Sequence, residues 1–147
     1  MSGYLLDTNI ISGLAPDRPP VSGVFAEWMD RKGESRDLFI SAVVVMEIRK
    51  SIASLRRRGG GQRADRMDVW LAAIVNVFGD RILPVDVNVG LIAGEMADLA
   101  TATGRHPGLS DILIAATANA HGLTVVTRNI KHFEPLNVLF ESPAGDV

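Results

Sequence analysis

Cysteine is absent from the 147-residue chain. That excludes disulfide scaffolds, thiolate zinc sites, cysteine nucleophiles and dithiol redox chemistry. Long apolar runs are missing too: Phe39 to Met46 is among the longest and falls far short of the roughly 18 residues of a membrane span. Charge of one sign is scarce, since 15 Lys plus Arg against 17 Asp plus Glu leave a net −2. Bulk charge therefore gives no sign of a polyanionic partner. The opening Met-Ser-Gly-Tyr-Leu-Leu-Asp has no basic n-region and reaches a carboxylate too soon for a signal peptide. A cytoplasmic protein with no membrane attachment is the expectation.

What is present is an ordinary globular composition, 47% apolar and 22% charged, at a length that suits one domain spanning 1–147. A chain of this size can bury about 68–70% of its unfolded surface, so it needs no staple. The cations are unevenly spread. Arg49, Lys50, Arg56, Arg57, Arg58, Arg63 and Arg66 place 7 of the 15 within 18 positions, a local field suited to a polyanion.

Hydrophobic period divides the chain into short apolar runs and longer amphipathic segments. Tyr4-Leu5-Leu6, Leu38-Phe39-Ile40, Arg81 to Pro84, Thr124-Val125-Val126 and Val138-Leu139-Phe140 read as five strands. Val21, Val24, Phe25, Trp28 and Met29 form a helical stripe, entered at Pro19-Pro20 and left at Gly33. Val44, Ile48, Ile52 and Leu55 mark a long helix that Gly59-Gly60-Gly61 breaks. Trp70, Leu71, Ile74, Val75 and Phe78 mark its return, giving a helical hairpin with a basic tip. A further helix carries Leu91, Ile92, Glu95, Met96 and Leu99 and ends at Gly104. Ser110 suits the N-cap of a last helix, apolar nearly all round from Ile112 to Ala118. Strand–helix alternation of this kind predicts one α/β domain, a mainly parallel sheet of about five strands with helices on both faces.

In such sheets ligands bind beyond the carboxyl ends of the strands, and three acids fall there. Asp7 follows the first strand, Glu47 lies in the first turns after the second, and Asp111 opens the apolar helix before the fourth. Singly each has a structural explanation: an Asx-turn for Asp7, an exposed helix glutamate for Glu47, the helix dipole for Asp111. Jointly they do not, because three carboxylates packed beside apolar sequence are costly without a cation. Oxygen ligands without cysteine or clustered histidine favour magnesium or manganese over zinc. Such an ion, keeping waters in its shell, suits phosphate chemistry.

Two other classes of function meet obstacles. An aspartyl-phosphate phosphatase needs a second aspartate two positions after Asp7, where Asn9 cannot protonate a leaving group. A phosphoacceptor receiver needs neighbouring acids and a late lysine, but Leu5-Leu6 precede Asp7 and Arg128 follows the fourth strand.

Four segments in order carry a resemblance: Leu5 to Ser12, Ser41 to Ile48, Ser110 to Ala118, and Leu123 to Asn129 followed by His132-Phe133. Together they resemble the motifs of PIN-domain proteins, especially the VapC-type toxins of toxin–antitoxin pairs. The resemblance implies a three-layer α/β/α sandwich and an Mg2+-dependent endoribonuclease, with Mn2+ able to substitute. Asp7 and Asp111 would hold the metal, Glu47 would complete the acidic cluster directly or through water, and Thr8, Asn9, Thr127 and Asn129 would support them by hydrogen bonds. Arg49, Arg56, Arg57, Arg58 and Arg128 are candidate RNA contacts. A homodimer and a small antitoxin in the active-site groove are also implied. Many relatives carry a fourth aspartate where Asn129 or His132 stands here, so one tightly held ion is the expectation. His132 is a candidate phosphate contact, although a lone histidine beside Phe133 and Glu134 is more often a structural or surface residue. The contrasting reading is a silent PIN domain that only binds RNA or protein.

Overall fold

The computed structural model describes residues 3–21, 23–143 and 145. Five parallel strands form one sheet in the order β3-β2-β1-β4-β5. They are β1 (Gly3–Leu6), β2 (Leu38–Ser41), β3 (Ile82–Leu83), β4 (Leu123–Val126) and β5 (Phe140–Glu141). Seven described α-helices accompany them: α1 (Thr8–Ser12), α2 (Gly23–Glu34), α3 (Ala42–Arg57), α4 (Gly61–Phe78), α5 (Val87–Ala102), α6 (Leu109–His121) and α7 (Ile130–Phe133). Leu5, Leu6, Ile40, Val125 and Val126 are essentially inaccessible, as expected of central parallel strands covered by helices. The α/β sandwich expected from the alternation is the fold observed.

The helical hairpin is also present, and its turn explains the glycines. Gly59 has φ +92°, and the Gly60 N–H donates to the Leu55 carbonyl at 2.9 Å, closing the end of α3. A Cβ at Gly60 would lie 2.5 Å from a Leu55 methyl and 3.1 Å from the Leu55 carbonyl oxygen, so a side chain there would crowd the turn and require Leu55 to shift. Buried Val44, Ile48 and Ile52 on α3 and Leu71 and Phe78 on α4 confirm the stripes. Val75, expected among them, is 40% exposed.

Other details depart from the sequence reading. Gly33 does not end α2, which continues to Glu34. The reversal comes at Arg36, with φ +59°, where Asp37 N–H donates to the Lys32 carbonyl at 3.0 Å. A non-glycine residue here costs about 1–2 kcal/mol. Arg36→Gly is therefore expected to raise stability, by up to about 1 kcal/mol after the added unfolded-state entropy, in a urea titration. Ser110 does not cap α6. Gly108 does, its carbonyl accepting from Ile112 N–H, so Asp111 is the third helical residue. On α5 the buried stripe is Val89, Ala93, Met96 and Ala100, while Leu91 and Leu99 face outward. The alanines let α5 pack against the alanine-rich α6. The last strand begins at Phe140, since Asn119 holds the Asn137 carbonyl and Val138 N–H bonds to Leu136, keeping that stretch turned. Arg81 belongs to a 3-10 turn over Gly79–Arg81, so β3 is only Ile82–Leu83.

Candidate active site

The carboxyl ends of β1, β2 and β4 deliver the site. Asp7 follows β1, its N–H donating to the Val126 carbonyl at 3.0 Å, and its buried side chain caps α1. One carboxylate oxygen accepts from Thr8 N–H at 2.8 Å. The other accepts from Thr127 Oγ1 at 2.7 Å and Asn9 Nδ2 at 3.2 Å. Thr127 is fixed in turn by Asn129 N–H at 2.9 Å, and Asn9 Oδ1 accepts from Arg128 N–H at 3.2 Å. The two segments, 120 positions apart at Asp7 and Thr127, are thus stitched into one platform that fixes the orientation of Asp7.

Glu47 lies six residues after the Ser41 N-cap of α3, and its Oε1 accepts from Thr8 Oγ1 at 2.6 Å. Asp111 enters from α6 and lies 3.2 Å from His132 Nδ1. Asp7, Glu47 and Asp111 line a single cleft of about 610 Å3, together with Asn9, Asn129 and His132.

Burial pushes the Asp7 carboxyl above the usual carboxylate range. Bonds from Thr127 and Thr8 oppose that push, and the charge of Glu47 adds to it. Asp111 is also raised, first by burial, then by the charge of Asp7, with His132 opposing and Glu47 adding. The carboxylates therefore sense one another across the cleft. Removing the strongest support should show this: Thr127→Val is expected to destabilise the fold by about 1.5–3 kcal/mol at neutral pH. Denaturant unfolding should find that loss reduced where Asp7 is protonated.

The three carboxylates share the cleft without converging on one point. Among the described residues, no three His, Asp or Glu side chains form a group placed to hold a metal ion. In this arrangement Glu47 is bonded to Thr8 and Asp111 lies against His132. Their chemistry nevertheless suits a hard dication: oxygen donors only, two of them unfavourably charged by burial and by each other.

The predicted RNA contacts separate. Arg49 pairs with Asp68, and Arg56 with both Asp65 and Asp68, so these two cations are spent inside the hairpin. The Arg49 hydrogen bond, then that of Arg56, holds Asp68 below its usual range, while Asp65 and then Asp68 raise Arg56. Arg57 is exposed at the end of α3. Arg58 lines a groove that starts at Thr8 and Glu47. The Arg128 guanidinium lies 5.5 Å from the Phe25 ring centre. Sequence reasoning left His132 out of the site. The signal was its place three residues after Asn129, within reach of the cleft through the short α7.

A parallel α/β domain with an acidic cleft at its strand ends is what the fold and geometry define. The PIN domain profile matches residues 4–135, and the chain belongs to that family. It is 34% identical over 143 residues to Toxin FitB of Neisseria gonorrhoeae, covering 97% of this chain and 99% of that one. To VapC ribonuclease Y4jK of Sinorhizobium fredii it is 31% identical, over 88% of this chain and 89% of the relative. The structure of FitAB bound to a DNA fragment superposes with a TM-score of 0.74 at 32% identity, covering 95% of this chain and 94% of that one.

Proposed function

We propose that the protein is a divalent-metal-dependent endoribonuclease acting as the toxin of a toxin–antitoxin pair. The observation that carries this reading is that Asp7, Glu47 and Asp111 line one cleft at the strand ends. The relatives named as a VapC ribonuclease and a toxin support the choice of RNA and of biological role. Asp7 and Asp111 would hold Mg2+ or Mn2+, and Glu47 would reach it directly or through water. The cation supplies Lewis acidity, lowering the pKa of a water and polarising a phosphoryl oxygen. The chain's own part is positioning. Thr8, Asn9 and Thr127 fix Asp7, and His132 fixes Asp111. With no fourth aspartate, Asn129 lends the cleft an amide and no charge.

Purified protein should cleave RNA in Mg2+ or Mn2+ and leave it intact in excess chelator. RNA that survives in both metals would leave the silent binding module as the better reading. A small antitoxin occupying the cleft is part of the proposal, and the relative found as FitAB on DNA is consistent with a partner that binds DNA. A homodimer is proposed as well, since Val24 on α2 and Val69 and Val77 on α4 leave apolar side chains outside the core. Among the described residues no helix is long and apolar enough to cross a membrane. The proposed site of action is the cytoplasm, where RNA targets reside.

A further inference from the structure

The basic hairpin has two faces, and they differ. Arg49 and Arg56 are neutralised by Asp65 and Asp68. The other face of α3 carries Glu47, Lys50, Ser51 and Ser54 as one helical stripe, which Arg58 at the C-cap continues. These residues and Thr8 line a groove of about 370 Å3 that begins at the catalytic cleft. At 1.5 Å per residue, Glu47 to Arg58 spans roughly 16 Å. Lys50 and Arg58 make no ion pair among the described residues; Arg58 Nε donates only to the Ser54 carbonyl.

Beside this groove lies a second cavity of about 210 Å3, which shares Ser51 and Arg58 with it and Ser12 with the catalytic cleft. Its floor is apolar: Ile48, Ile52 and Leu55 from α3, Met67 and Trp70 from α4. Arg18 and Arg58 stand on its rim, while Arg63 there is paired with Asp17, which also lines the cavity. An apolar floor that includes one tryptophan, two arginines at the rim and continuity with the acidic cleft are the features that bind a base and its backbone.

We propose that this cavity is a nucleotide subsite, taking one base of the RNA against Trp70 while Lys50 and Arg58 hold the phosphates leading to it from Glu47. The inference rests on the ribonuclease reading. The cavity is smaller than the roughly 300–1,000 Å3 of drug-sized sites, so it suits one ring system. The subsite would make cleavage depend on the base at one fixed distance from the scissile bond, because the α3 stripe sets that distance.

Binding can be read without catalysis. The only other tryptophan, Trp28, is buried against Tyr4 and Phe25, so it supplies a constant background. In chelator, a short single-stranded oligoribonucleotide should quench fluorescence of the full-length protein, and Trp70→Ala should abolish the quench. In Mn2+, Trp70→Ala should raise KM about tenfold or more with kcat within a few-fold, and Trp70→Phe should restore KM. Circular dichroism melting of each variant checks the fold, and Lys50→Ala gives a second test that leaves the apolar floor untouched. Lys50→Ala should raise KM and flatten its salt dependence. No quench, together with unchanged KM in Trp70→Ala and Lys50→Ala, overturns the subsite and assigns the cavity to a protein anchor. A parent that quenches yet cuts no RNA sinks the nuclease reading and leaves the nucleotide site standing.

Discussion

Asp111→Asn is expected to lower RNA cleavage at least ~100-fold, the scale of losing one preorganised electrostatic group, while leaving the fold intact. Asp111 enters the cleft from the first turn of α6, where it is held by His132 and senses the charge of Asp7. Asparagine keeps the shape and one oxygen but removes the charge that a dication needs. It also removes a cost. Burial and the Asp7 charge both raise the Asp111 carboxyl, so the ionised form opposes folding, and neutralising it should leave the metal-free protein no less stable. His132, 56% exposed at its side chain, loses a partner but keeps water. Asp7→Asn should be equally inactive, although its carboxylate takes bonds from Thr8, Asn9 and Thr127 that an amide would only partly replace. Cleavage assays paired with thermal unfolding check both halves. Parent-like cleavage by Asp111→Asn would mean that the chemistry lies elsewhere.

The positions of these carboxylates were legible in the sequence because each follows a signal with a physical cause. Asp7 ends a run of apolar strand residues, and Glu47 borders the Val44–Ile48–Ile52 stripe. Asp111 opens the stretch from Ile112 to Ala118, which is too apolar to be anything but buried. The parallel sheet followed from strand–helix alternation, and the hairpin from three consecutive glycines. Less legible was anything decided by contacts distant in sequence. That α5 would bury its alanines and expose Leu91 and Leu99 depends on the small side chains of α6. That Gly33 would continue a helix while Arg36 reversed it depends on which carbonyl Asp37 reaches. The split of the arginine cluster into a paired and an available face follows from Asp65 and Asp68, which stand on the returning helix. His132 was underread for a similar reason. Its neighbours in sequence, Phe133 and Glu134, say surface, whereas its neighbour in space is Asp111.

Metal binding should itself be measurable as stability. In chelator, Asp7 and Asp111 carry carboxyls raised above the usual range. The sign follows from which form folding favours. Their protonated forms fit the cleft better, so these two groups favour the fold below the unfolded carboxylate range, and that contribution is lost as pH rises through the raised folded values. Ionising both carboxyls in the metal-free protein therefore costs stability, and a dication offsets that cost. Mn2+ at 100 times its dissociation constant should add about 2.7 kcal/mol, which for a domain of this size raises Tm by roughly 5–10 °C. The rise should shrink on acidification, because protonated carboxylates are poor ligands, and should be nearly absent in Asp111→Asn. Calorimetric scans at two pH values, with and without Mn2+, give all four quantities from one preparation. A Tm that ignores Mn2+ at neutral pH, or rises equally in Asp111→Asn, would place the ion outside the cleft and separate the acidic cluster from the chemistry proposed for it.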